Sequence, residues 1–426
     1  MRMDNETYRL RVEALLRELG REEDPFASKA LAELERLALT PRKARYFLRA
    51  LLATEQSESV QVHFYRLIME AARNKNAYSD LERHIRHAFY EAREQTRSVL
   101  SQVQTPKALL ALFHVIALTE EGWLAGELIR IVLSMPPEAL QEPLQEALMS
   151  EDYLLQCLAI YLIGKTADET LLHMLARFYR KPVGDRVDRL EKKAYDALLE
   201  GAQTAVPSLF STWLKDRSVR VRDLALTVLA TREVPEVVVD LAGLILIDAQ
   251  TRTRAAKILL RYAEAGLFEW SPDDPRSQQI RELLTAAKED ALTRLLRSLL
   301  RHESPAVREV AIQLVGLLPE PAPTLVSEVS RLSVEEPLPA LQMAALQVLE
   351  RVAPDLLVGS LVEVYADHGF GQGSPELLSL ANQIMQRTLT PEQVLKVQEG
   401  IEEKKERRAT ALERFAASVE WWRHEV

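Results

Sequence analysis

The chain has 426 residues, 47% hydrophobic and 27% charged, with 54 basic against 63 acidic side chains and a net charge of −9. That balance belongs to a folded chain, and the acidic excess disfavours a protein that neutralises phosphates over its whole surface. Only 14 glycines and one cysteine, Cys157, argue against a fold rich in glycine turns, a disulfide framework and a thiolate-held metal cluster. At about 150 residues per domain, the length allows two or three domains or one long repeat array.

Taken in chain order, the first residues turn charged at once and lack the apolar core of a signal peptide. No run of about 18 apolar residues occurs anywhere, so no membrane span is expected, and with the lone Cys157 the expected location is the cytoplasm. Residues 1–136 read as an N-terminal helical region of degenerate repeats or a cap, with one long helix from about 78 to 102 and another from 105. Thr105-Pro106 and Thr390-Pro391 place a hydroxyl at an N-cap and proline at the first helical position. Ser79 with Glu82, and Thr390 with Gln393, have capping-box spacing. His84, His87 and Glu91 share a helix face, but no second helix supplies a matching Glu-x-x-His pair, so no metal is expected. The apolar stretch 237–247 is β-branched yet reads as a buried helix, because no partner strand pattern exists.

Residues 137–388 carry an internal repeat. Alanine anchors stand at Ala159, Ala194, Ala225, Ala255, Ala311, Ala345 and Ala381. Position −4 holds Leu155, Leu190, Val221, Thr251, Val307, Leu341 and Leu377, and positions +3 and +4 are apolar throughout. These offsets form one stripe of a helix, and alanine at its centre admits a neighbouring helix closely. A second helix precedes each anchor helix. A hairpin of ~30–36 residues cannot bury its stripe alone, so hairpins must stack. The wider gap between Ala255 and Ala311 holds an insertion near 264–290, an acidic loop with Phe268 and Trp270 followed by one additional helix. Cys157 reads as a buried small residue. From 389 to 426 one long helix caps the array or docks on a partner, with Leu412, Phe415, Val419 and Trp422 on its apolar stripe.

Asp216, Val221, Arg222 and Ala225, with Val307, Arg308 and Ala311, resemble the second helix of the HEAT repeat; Arg252 and Ala255 match more weakly. The resemblance implies an all-α superhelix of stacked hairpins that binds proteins, or sometimes nucleic acid, on an extended surface. It implies no shared reaction. It also implies that Asp216, Arg222, Arg252 and Arg308 form a ladder between adjacent hairpins. Other repeats replace the arginine with Gln156, Glu191, Gln342 or Leu378.

Positions +2 and +6 lie off the apolar stripe and should point outward. They are polar and mildly basic, which suits a protein-binding surface better than a phosphate track. Phe268, Trp270, Trp421 and Trp422 are the candidate partner anchors. A second reading rests on residues 173–261, where 16 basic side chains face 11 acidic ones. There Arg217, Arg220, Arg254, Lys257 and Arg261 are the candidate nucleic-acid contacts. A third is an enzyme on a HEAT-like scaffold, resembling DNA glycosylases or bilin lyases, for which no residue set is found. The glycine-rich stretch 367–373 lacks the strand that a nucleotide loop needs. The sequence thus points to a non-enzymatic, cofactor-free scaffold or adaptor for protein partners.

Overall fold

A computed structural model of the chain describes residues 4–19, 27–38, 43–54, 56–180, 187–368 and 374–425. The side chains of 27, 28, 44, 45, 52, 187, 188, 367, 368 and 411–425 lie outside that description. The described residues are helical, with turns between helices and no strand. They divide into two compact units, Met1–Leu209 and Phe210–Val426.

In the first unit the helices are α1 (Asn5–Leu19), α2 (Ala27–Ala38), α3 (Ala44–Ala53), α4 (Glu58–Ala71), α5 (Lys75–Glu91), α6 (Arg93–Gln102), α7 (Pro106–Leu118), α8 (Gly122–Leu133), α9 (Pro137–Met149), α10 (Tyr153–Thr166), α11 (Glu169–Tyr179) and α12 (Val187–Ala202). Each packs on the helix two further along: α1 on α3, α2 on α4, and so on to α10 on α12. This is the signature of stacked hairpins, and it runs from α1 onward. The long helix expected from 78 to 102 is in fact two, broken at Ala92 (φ −147°, ψ 67°). Local propensity favours continuity. The break lets α5 pack on α7 while α6 turns back onto α4, with Phe89, Val99 and Leu100 all buried.

The boundary lies within α13 (Pro207–Leu214). The second unit continues with α14 (Val219–Leu229), α15 (Val238–Ile247), α16 (Arg252–Glu264), α17 (Pro275–Thr285), α18 (Glu289–Leu300), α19 (Pro305–Leu317), α20 (Pro323–Glu335), α21 (Pro339–Val352), α22 (Pro354–His368), α23 (Pro375–Thr388) and α24 (Pro391–Glu425). The stretch 237–247 is helical, as its lack of a partner strand required. Here α14, α16, α19, α21 and α23 form one layer in succession, and α18, α20, α22 and α24 the other. The extra helix is α17, and it shifts the alternation by one. The charged middle of α24 stays helical, and α24 packs along α22, with Arg408 donating to the Ala366 carbonyl at 2.6 Å.

Proline marks the first turn of ten of these helices, where its missing N–H costs nothing. Capping chemistry follows the sequence less evenly. Thr390 and Gln393 exchange reciprocal bonds of 3.3 and 2.9 Å. Thr105 instead turns its hydroxyl to Glu70 at 2.6 Å, and Ser79 lies inside α5, whose real N-cap is Asn74.

All seven anchor alanines are completely buried. At α10 and α12 the approach is closer still: a Cβ on Gly164 would stand 2.9 Å from the Ala197 carbonyl oxygen. A Cβ on Gly201 would stand 2.6 Å from a Leu172 methyl and 3.1 Å from the Gly164 carbonyl. Cys157 is half-buried rather than buried, because position −2 sits at the margin of the stripe.

Gly164→Ala should therefore lower stability by about 1–2 kcal/mol, overpacking outweighing the ~1 kcal/mol gain in helix propensity. Gly126→Ala, where no atom lies within 4 Å of the added carbon, should be neutral or stabilising. Urea unfolding of the two variants checks this; equal gains in both would contradict the close-packing account.

Candidate partner-binding surface

Position −3 of the repeat carries one chemical job in five hairpins. Gln156 donates to the Leu148 carbonyl at 3.1 Å, Arg222 to Asp216 at 2.6 Å and Arg252 to Ile245 at 2.7 Å. Arg308 donates to His302 at 2.8 Å and Gln342 to Val334 at 3.0 Å. Each accepting carbonyl belongs to the end of the preceding helix or its connection, where backbone acceptors lack helical partners and negative dipole collects. Glutamine serves as well as arginine. Arginine adds reach: Arg222 also binds Asp248 at 2.8 Å, and Arg308 grips Glu336 through bonds of 3.0 and 2.7 Å. Both carboxylates follow the first helix of the next hairpin. Arg252 makes its bonds within its own hairpin, since the insertion follows it. Buried Asp216 uses its side chain to hold the Ser218 N–H at 2.8 Å.

The +6 column is spent on neighbouring helices. Lys165 pairs with Glu200, and Arg387 grips Glu350 at 2.7 and 2.5 Å. Arg261 caps α14 through the carbonyls of Leu229, at 2.6 Å, and Ala230. Arg254 pairs with Asp223 at 2.6 Å and donates to Thr227 at 2.9 Å. Of the five basic candidates, Arg217, Arg254 and Lys257 are exposed, Arg254 within its ion pair, and Arg220 and Arg261 are half-buried.

The insertion folds onto the second unit. Phe268 is buried at 2% exposure, and Trp270 stacks edge-on against it at 4.9 Å. The loop is tied by Ser277 to the Glu269 carbonyl at 2.5 Å and by Arg276 to those of Pro235 and Leu267 at 3.0 and 2.9 Å. The Trp270 carbonyl accepts from Arg351 at 2.6 Å, and Arg351 reaches Gln313 at 3.5 Å. Gln313 and Leu317, expected to face outward at +2 and +6, are consequently buried. Phe268 belongs to the core. The side chains of Trp421 and Trp422, like residues 369–373 of the glycine-rich stretch, lie outside the described residues.

The exposed aromatic site is elsewhere. Tyr90 on α5 and Trp123 on α8 stand 5.0 Å apart and are 69% and 39% exposed. Glu121 holds both: its carboxylate accepts from the Trp123 indole at 2.6 Å, from Arg86 at 2.6 Å and from the Tyr90 hydroxyl at 3.4 Å. These hydrogen bonds keep the Glu121 carboxyl below the usual carboxylate range, the Arg86 bond foremost. Residues 90 and 123 are too far apart in sequence for spacing to reveal the pair. The one available signal was an aromatic at each position with an acid beside Trp123.

Close by, α1, α3 and α5 enclose a polar cleft of about 770 Å³. Arg9, Arg49 and Arg83 supply its positive groups, Glu13, Asp80 and Glu91 its negative ones, and His87 lies among them. Arg9 pairs with Glu13 at 3.3 Å, and His87 with Glu91 at 3.2 Å. His84 lies buried at the base and shares a 3.1 Å hydrogen bond with the Tyr65 hydroxyl. Among the described residues no three His, Cys, Asp or Glu are grouped to hold a metal ion. No helix among them is long and apolar enough to cross a membrane.

No family model matches the chain, and no curated protein matches it. Among solved structures it is similar to a Kap121p triple mutant (13% identity, TM-score 0.36), covering 94% of this chain and 47% of that one. The karyopherin Kap121p bound to the SUMO protease Ulp1p gives 13% and 0.34, covering 95% and 47%. The karyopherin bound to the C-terminus of the phosphatase Cdc14p gives 14% and 0.34, covering 90% and 45%. The chain thus spans about half the length of these structures, and likeness at this level transfers no function.

Burial pushes His84 down from 6.5 to about 3, with the nearby charges of His87 and Arg49 adding to it. The folded imidazole is neutral, whereas the unfolded one takes up a proton below pH ~6.5, so this stabilising share is full above ~6.5 and is lost as pH falls toward 3. Half-buried His114 and His173 are also lowered, burial again the main cause, and act in the same direction. The urea midpoint should fall between pH ~6.5 and ~5, and His84→Gln should flatten that fall. An unchanged slope in the variant would contradict the assignment.

Proposed function

We propose that the chain is a non-enzymatic HEAT-like scaffold or adaptor that binds protein partners on the exposed faces of its stacked hairpins. The supporting observation is the Tyr90–Trp123 pair. Large exposed aromatics with an arginine alongside are the groups that dominate protein interfaces. Glu121 already fixes both rings, so less rotamer entropy is lost on docking. The hairpin stack supplies a rigid backing, because helices α5 to α8 are locked by buried neighbours and by Arg93 and Arg97 clasping buried Glu127.

Affinity capture from an extract of the source cells tests this, using the wild-type chain and a Tyr90→Ala/Trp123→Ala variant of equal stability. Partners held by the wild type should fall at least ~10-fold, about 1.4 kcal/mol of binding energy, in the variant. Full retention of every partner would contradict the proposed anchor.

A further inference from the structure

Several arginines of the first unit are matched to a carboxylate on another helix: Arg11 to Glu33, Arg86 to Glu121, Arg93 and Arg97 to Glu127. Arg49 on α3 and Arg83 on α5 are set apart by their place in the cleft. Both are exposed, both line the cleft beside His84, and neither has an ion-pair partner among the described residues. We propose that this cleft receives an acidic side chain of an extended polypeptide segment, with Arg49 and Arg83 as its cations. This rests on the protein-binding reading above and names the chemistry of the partner.

Three features carry it. The cleft volume of about 770 Å³ fits the side chains of a few residues rather than a flat contact. A carboxylate that meets a guanidinium there forms a charge-assisted hydrogen bond, roughly twice as strong as a neutral one. The lining is mixed in sign: Glu13, Asp80 and Glu91 stand among the cations. A uniformly anionic phosphodiester strand meets repulsion from those three groups. A polypeptide can place a carboxylate at Arg49 and Arg83 and present backbone N–H or neutral groups to Asp80. Arg9 already has a carboxylate partner, which leaves Arg49 and Arg83 as the cations to be satisfied by the ligand.

Fluorescence anisotropy on the full chain at about 50 mM salt tests the assignment. The probes are a fluorescein-labelled alternating Glu-Gly decapeptide, its Lys-Gly counterpart and a single-stranded DNA decamer. The acidic peptide should bind best, and Arg49→Ala/Arg83→Ala should weaken it at least ~10-fold. Arg49→Lys/Arg83→Lys, which keeps both charges, should retain most of the binding. Absence of acidic-peptide binding, equal binding by the double-alanine variant, or a preference for DNA would overturn it. Captured partners that need Tyr90 and Trp123 yet bind the double-alanine variant normally would sink this cleft assignment alone. Loss of the Tyr90 and Trp123 dependence, with the peptide result intact, would sink the aromatic anchor alone.

Discussion

Five of the stacked hairpins depend on a junction: the end of the first helix, where carbonyls lose their helical donors, meets a side chain from the start of the second. An unsatisfied buried acceptor costs about 1–3 kcal/mol. Gln156, Arg222, Arg252, Arg308 and Gln342 each remove that cost with a bond of 2.6 to 3.1 Å. The same bond fixes the turn between the two helices. Fixing the turn brings the buried alanine anchors against the next hairpin. At Arg222 and Arg308 a second hydrogen-bonding edge reaches a carboxylate one hairpin further on, so Asp248 and Glu336 join consecutive hairpins as well.

Several charged side chains outside the core and junctions are committed to neighbouring helices too. The +6 residues bridge adjacent second helices, and the insertion occupies the surface over α19 through Arg351 and Gln313. A column that looks like a mildly basic binding track in the sequence is therefore largely internal strapping. In the first unit, Tyr90 and Trp123 stay exposed and Arg49 and Arg83 line an open cleft. Exposure there is organised, not incidental, because Glu121 orders the aromatic pair through three hydrogen bonds.

Periodicity made the all-helical class and the stacking stripe readable. Alanine at a fixed place in a helix-spaced apolar pattern has few other physical meanings, and prolines at helix starts sharpened the boundaries. Local rules failed where tertiary contacts outweigh them: Ala92 breaks a sequence that favours one helix, and Thr105 gives its hydroxyl to Glu70 rather than to its own helix. The −3 position was read as an arginine motif with departures, yet the glutamines meet the same acceptor. Chemical equivalence of Gln and Arg as donors is invisible until the accepting carbonyl is seen. The aromatic pair and the cleft join residues from separate helices, and no spacing rule within one helix could have assembled them.

The central claim is that position −3 joins hairpins as well as finishing a helix. A double-mutant cycle on Arg308 and Glu336 tests it most directly, because both side chains are largely shielded at 14% and 3% exposure. Urea unfolding of Arg308→Ala, Glu336→Ala and the double variant would be compared with the wild type. The account requires a coupling of about 1–3 kcal/mol, with Arg308→Ala the costlier single change because it strands a buried carboxylate and the His302 carbonyl. Additive effects, within about 0.5 kcal/mol, would contradict it.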